Sequence, residues 1–131
     1  DNAASGTPEA LMVNAGNGAV TFDGSVGPGA NGAIGGLTVN GSGATSLGAV
    51  KAASLATNTG TTTLNGNITT TAGQTYNGAV LLGSGVALNT TNNAVDFKST
   101  VDNATSSTPE ATGLPCRKSA CPSARRSACP K

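Results

Sequence analysis

Histidine and tryptophan are absent from this 131-residue chain, which has one tyrosine, two phenylalanines and one methionine. Without histidine, the commonest general acid/base and the commonest nitrogen ligand for metals are missing. Charged residues make up 10% of the chain, against about 25% in an ordinary globular domain. The net charge is only +1, so the composition lacks the strong charge that usually accompanies disorder. The acidic residues Asp1, Glu9, Asp23, Asp96, Asp102 and Glu110 are scattered. That is a poor inventory for an enzyme, and no catalytic residue, cofactor or metal is expected. No stretch approaches the roughly 18 apolar residues of a membrane helix, so this segment is not expected to insert into a membrane. No basic leader followed by an apolar core opens the chain. Beginning at Asp1, it reads as a processed product or a piece of a longer protein.

What fills the space is glycine, 19 residues of it, with Thr, Ser, Asn, Ala and Val. Gly and Asn accept the positive φ of tight turns, while Thr and Val suit pleated strands. The run Asn17-Gly18-Ala19-Val20-Thr21-Phe22-Asp23-Gly24-Ser25-Val26 returns, degraded, as Asn77-Gly78-Ala79-Val80-Leu81-Leu82-Gly83-Ser84-Gly85-Val86. It returns again as Asn92-Asn93-Ala94-Val95-Asp96-Phe97-Lys98-Ser99-Thr100-Val101. Internal repeats of this kind build stacked, elongated structures.

Three regions differ in texture: a polar lead-in over 1–10, a repetitive β-region over 11–104, and a tail over 105–131. Strand signals in the middle region are Leu11–Val13, Val20–Phe22, Leu37–Val39, Leu47–Val50, Ser54–Ala56, Thr61–Leu64, Ile68–Thr71, Thr75-Tyr76, Val80–Leu82, Val86–Leu88 and Val95–Phe97. Their centres lie about 7 to 9 residues apart. The one helix candidate, Ala44–Ala56, is weakened by Gly48 and Val50 and reads better as strand–turn–strand. An Ala-Val or Ala-Ile step recurs at Val20, Ile34, Val50, Val80 and Val95, giving a coil of about 15 residues, or about 22 if three strands make one coil. Inward ladders of Val, Leu, Ile, Phe and Ala are expected, with Thr, Ser, Asn and Lys outside. The expected class is all-β, a β-solenoid of short strands with an irregular C-terminal tail. The competing all-β fold is a sandwich of hairpins, suggested by Asn-Gly at 17-18, 31-32, 40-41, 65-66 and 77-78. Such a sandwich would have longer strands and a more aromatic core.

The run Asn67-Ile68-Thr69-Thr70-Thr71-Ala72-Gly73-Gln74-Thr75-Tyr76-Asn77-Gly78-Ala79-Val80 resembles a repeat of filamentous haemagglutinin-like exoproteins, bacterial surface proteins of the two-partner-secretion and autotransporter type. Leu37–Asn40, Gly60–Gly66 and Ala19–Val26 carry the same resemblance, which spans about residues 6–104. It implies a right-handed parallel β-helix and export across the outer membrane. It also implies a secreted or cell-surface location and a role as the shaft of an adhesin. Partners would then be host-cell or matrix surfaces or their glycans. Neighbouring repeats of a longer chain, or copies stacked end to end, would also be partners. No Arg-Gly-Asp adhesion tripeptide is present.

Other features carry weaker chemistry. Thr61-Thr62-Thr63, Thr69-Thr70-Thr71 and Thr90-Thr91 could form the flat outward array of an ice-binding solenoid, broken at Tyr76 and Leu81-Leu82. Asp23, Asp96 and Asp102 read as solvated carboxylates, since calcium needs six to eight clustered oxygens. Asp96 and Lys98 share one side of a strand and read as a surface ion pair. A polysaccharide-cleaving site would instead need paired carboxylates or a poised base. Sequons stand at Asn40, Asn67, Asn89 and Asn103. The tail, LPCRKSACPSARRSACPK from Leu114, holds Cys116, Cys121, Cys129 and five of the seven basic residues. Its cysteine spacing fits no common zinc pattern. It has no aromatic side chains for stacking on bases, so nucleic acid is not an expected partner, and it reads as a disordered or non-homologous end.

Overall fold

The computed structural model describes residues 6–29, 32–83 and 85–104. The tail with Cys116, Cys121 and Cys129 lies outside the described residues, as do Asp1 and Glu110. Twelve strands follow one another: β1 (Leu11–Asn14), β2 (Val20–Phe22), β3 (Ile34–Asn40), β4 (Ala44–Leu47), β5 (Val50–Asn58), β6 (Thr61–Leu64), β7 (Ile68–Thr70), β8 (Gln74–Tyr76), β9 (Ala79–Leu82), β10 (Leu88–Thr90), β11 (Val95–Phe97) and β12 (Val101–Asn103). No helix occurs among the described residues. Every strand pairs in parallel with strands one coil away. The hairpin sandwich is thereby excluded, because hairpins pair antiparallel. The chain is a β-solenoid of about four turns.

Three faces wind around the axis. The first carries β1, the C-terminal parts of β3 and β5, then β8 and β11. The second carries β2, β4, β6, β9 and β12. The third carries Val26, the N-terminal part of β5, β7 and β10. Strand alternation sends two columns inward from the first face: Leu11–Leu37–Leu55–Gln74–Val95 and Val13–Val39–Thr57–Tyr76–Phe97. The second face contributes Val20–Thr45–Thr62–Val80–Val101 and Phe22–Leu47–Leu64–Leu82–Asn103. From the third come Val26–Val50–Ile68–Leu88 and Ile34–Ala52–Thr70–Thr90.

Three strands make one coil, the longer of the two expected alternatives, but the length is not constant. Successive asparagines at one corner, Asn14, Asn40, Asn58 and Asn77, are 26, 18 and 19 residues apart. The Ala-Val ruler fails because it steps between faces: Val20 and Val80 sit on the second face, Val50 on the third and Val95 on the first. Corner lengths vary as well. Val26 and Ile34 are eight residues apart where their partners Val50 and Ala52 are two apart, so the first coil carries an extra loop. Between the third and first faces, Ala52 to Leu55 is three residues, Thr70 to Gln74 four and Thr90 to Val95 five. β5 turns that corner without breaking, whereas β7 and β8 are separate strands.

The core departs from the expected division of Val, Leu, Ile, Phe and Ala inside and Thr outside. Leu37, Val39, Leu47, Leu64, Ile68, Tyr76 and Val80 are fully buried, but so are Thr57, Thr62 and Gln74, with Thr45 and Thr70 nearly so. Threonine's preference for strands is indifferent to which face it occupies. Its γ-methyl packs like that of valine, which lets the narrow interior take it. The burst Leu47–Val50 also resolves differently, with a corner at Gly48-Ala49 between β4 and β5. The corner between the first and second faces is tight enough to need glycine: a Cβ on Gly78 would lie 1.9 Å from the Thr59 carbonyl oxygen, and one on Gly43 2.3 Å from that of Gly18.

Candidate functional site

The first four rungs of the first face end in the same way. The tetrads Leu11-Met12-Val13-Asn14, Leu37-Thr38-Val39-Asn40, Leu55-Ala56-Thr57-Asn58 and Gln74-Thr75-Tyr76-Asn77 place an asparagine at the corner, directly above the one before. The Asn40 amide Nδ2 donates to Asn14 Oδ1 at 2.8 Å, and Asn58 Nδ2 to Asn40 Oδ1 at 2.7 Å. Asn77 Nδ2 donates to Asn58 Oδ1 in turn. In the next rung the position belongs to Lys98, whose N–H donates to the Tyr76 carbonyl at 2.9 Å. Four stacked amides are thus joined along the axis. The sequence reading treated Asn40-Gly41 and Asn77-Gly78 as turn signals, with hairpins only in the competing sandwich, and missed the ladder, whose signal was the tetrad itself.

In the rung of Asn77 the interior carries a hydrogen-bonded polar network. Gln74 occupies the column of Leu37 and Leu55, and it is fully buried. Its Nε2 donates to the Asn89 carbonyl at 2.9 Å and lies within 3.3 Å of Thr70 Oγ1 and 3.4 Å of the Ile68 carbonyl. Its Oε1 accepts the Tyr76 hydroxyl at 3.0 Å, and Thr70 Oγ1 donates to the Ala72 carbonyl at 2.6 Å. The network closes the corner where β7 and β8 separate, so that the groups buried there are hydrogen-bonded, as burial requires. The Tyr76 ring stacks on Phe97, centroids 5.1 Å apart and planes inclined 13°. Burial raises the Tyr76 hydroxyl far above its ordinary value of 10.0, which keeps it a neutral donor.

An open indentation follows the corner after β2, β4 and β6. It encloses about 340 Å³ and is lined by Phe22, Asp23, Ser25, Ser46, Asn65 and the intervening glycines and alanine. Asn65 Nδ2 donates to Ser46 Oγ at 2.9 Å. Asp23 is the one charged side chain lining it. A lone carboxylate with hydroxyls and an amide can hydrogen-bond a polar ligand, but supplies no acid/base pair of the kind glycosidic cleavage uses. Among the described residues, no group of three or more His, Cys, Asp or Glu stands close enough to hold a metal.

Asp96 and Lys98 form an ion pair between Oδ2 and Nζ, both side chains about half exposed. Asp23 and Asp102 are exposed and separate. Of the threonine rows, Thr62 and Thr70 point inward, so those rows contribute alternate residues, not whole triplets, to the surface. The outward column of the first face reads Met12–Thr38–Ala56–Thr75–Asp96 and that of the second Thr21–Ser46–Thr63–Leu81–Asp102. Tyr76 does not interrupt an outward array, since it faces inward; Leu81 does. Among the sequons, Asn40 is held in the ladder and Asn67 Oδ1 accepts the Ala87 N–H at 2.9 Å. Asn89 is exposed, while the sequon at Asn103 ends in Thr105, outside the described residues. The chain matches no protein-family model, no curated protein and no solved structure.

Proposed function

We propose that this chain is a structural shaft segment of an exported bacterial surface protein, of the filamentous haemagglutinin-like kind, that takes part in attachment to cells or surfaces. The observation that carries the reading is the regular stacking of short parallel rungs around a narrow core, with an amide ladder running along one corner. Stacked rungs transmit length and stiffness, because each contacts only its neighbours. Recognition would then fall to exposed corners and outward columns. The resemblance of Asn67–Val80 to haemagglutinin-like repeats supplies the surface location and the adhesive context.

Immobilised chain should retain host cells, matrix protein or glycan above a scrambled control, without altering the glycan. Release of unsaturated or reduced-length oligosaccharide from a polysaccharide panel would replace this reading with that of a glycan-active β-helix. Thermal hysteresis in solution would replace it with that of an ice-binding solenoid.

A further inference from the structure

The large apolar side chains left exposed among the described residues are Leu11, Met12, Phe97 and Val101. All four lie in strands that close the ends of the stack: β1 at one end, β11 and β12 at the other. Among the described residues, each of these strands pairs with one neighbouring strand only, so β1 and β11 each turn one edge away from the stack. Proteins usually blunt such edges with proline, lysine, bulges or a covering segment. β1, β2 and β12 contain neither proline nor lysine, and among the described residues no segment lies across them.

We infer that the C-terminal rung docks the N-terminal rung of a second copy of this chain, head to tail and in parallel register. The columns dictate the match. Leu11 and Val95 terminate the same inward column, as do Val13 and Phe97, and Val20 and Val101. A second copy placed one rung beyond β11 and β12 continues all three columns with apolar partners. Its β1 pairs on β11 and its β2 on β12 by the same ladder that joins the interior coils. The strands at both ends run in the same direction, so no inversion is needed. The two surfaces differ, which makes the contact heterologous and open to chain growth. Residues 105–131, the other nearby occupant, contain a single large apolar side chain, Leu114, with which to cover Phe97 and Val101. One column is mismatched: Phe22 would meet Asn103. This inference is independent of the shaft reading, because it depends on the end rungs and not on any location or ligand.

The test uses the full chain under reductant, so that Cys116, Cys121 and Cys129 cannot crosslink. Sedimentation should show mass rising with concentration beyond a dimer. A head-blocked variant, Leu11→Lys with Val20→Lys, and a tail-blocked variant, Phe97→Lys with Val101→Lys, should each halt this growth. Each retains one working end, so an equimolar mixture should give dimers and nothing larger. Asn103→Leu, which repairs the mismatched column, should tighten association of the otherwise unaltered chain, and it keeps the test decisive if a lysine variant fails to fold. A wild-type chain that stays monomeric over the whole concentration range overturns the inference. So does a mixture of folded blocked variants that fails to dimerise, or an Asn103→Leu chain that associates no more tightly. Amide hydrogen exchange discriminates the remaining occupant: protection, at concentrations where the chain is monomeric, of those β11 and β12 amides that do not face β8 and β9 would assign that end to residues 105–131 and overturn the inference as well.

Discussion

One inward column passes through both kinds of rung in this molecule. Leu37 and Leu55, in the interior, are 0% and 2% exposed, whereas Leu11, in the same column at the end, is 39% exposed. Nothing in the residue type differs. What differs is whether a rung lies on both sides, and the same holds for Tyr76, fully buried, against Phe97, 36% exposed, in the neighbouring column. Burial in a solenoid is therefore a property of position along the axis. The first way to break the comparison is to cut the same side chain at both positions. Leu55→Ala should cost about 2–5 kcal/mol, the range for a fully buried leucine whose cavity cannot collapse. Leu11→Ala should cost about 1 kcal/mol or less, since much of its surface is in water already. Urea denaturation of both variants measures the two values. Equal losses would mean that the end rung is sealed as well as the interior.

Tyr76 gives the next largest effect, and it depends on the end rung covering it. Tyr76→Phe leaves Gln74 Oε1 buried without its donor, at about 1–3 kcal/mol. The hydroxyl also links stability to alkali. Its folded value is raised by burial above the ordinary 10.0. The stability it contributes is complete below that ordinary value and is lost as pH rises above it, because the unfolded chain ionises first. The wild type should accordingly lose stability above about pH 10, and Tyr76→Phe should remove that part of the slope. This is the only tyrosine and there is no tryptophan, so tyrosinate absorbance reports this one group. Tyrosinate appearing before unfolding would show that the rung of Phe97 does not seal it.

These contrasts also mark what the sequence disclosed. Val20–Phe22, Thr61–Leu64 and Val95–Phe97 are strands with the limits read from alternation alone, because alternation is a local property. The three-strand coil was one of two lengths that the sequence allowed, but its variation from coil to coil was not legible. The corner between the third and first faces grows from three residues to five along the stack, and an added corner residue shifts every later position without changing the strands. The copies at Asn17 and Asn77 do fall on one face, three coils apart, through Val20, Thr45, Thr62 and Val80. The copy at Asn92 falls on another, since Val95 stacks on Gln74. Buried threonine was illegible for a different reason: its local preference is the same on both sides of a strand. The asparagine ladder was legible only through alignment of the four tetrads.

The ladder offers a milder version of the interior-against-end contrast. Asn58 both donates and accepts within it, while Asn14 only accepts. Asn58→Ala should cost about 1 kcal/mol and Asn14→Ala about half of that, because water can replace part of each exposed bond. Thermal melts of the two variants, compared with the wild type, check the ratio. In the interior, Thr57 Oγ1 is buried with no hydrogen-bond partner, an unfavourable arrangement. Thr57→Val should stabilise by about 1 kcal/mol, while the same change at Thr21, outward and exposed, should leave the melt where it was. A destabilised Thr57→Val would show that the hydroxyl is bonded after all.

The smallest expected effect concerns the place where the ladder stops. Lys98 occupies the position that asparagine holds in the four preceding rungs, and it pairs with Asp96. Lys98→Asn would extend the amide column by one bond, worth about 0.5–1 kcal/mol in an exposed setting. The same change removes an exposed ion pair worth about 0–1 kcal/mol. At low salt the two contributions should nearly cancel. High salt screens the ion pair and leaves the amide bond largely intact, so the variant should become the more stable chain as salt rises. Stability measured against ionic strength separates the two contributions. A variant that is less stable than the wild type by the same margin at every salt concentration would mean that the fifth amide does not join the ladder, and that the end rung lies out of register with the interior at this corner.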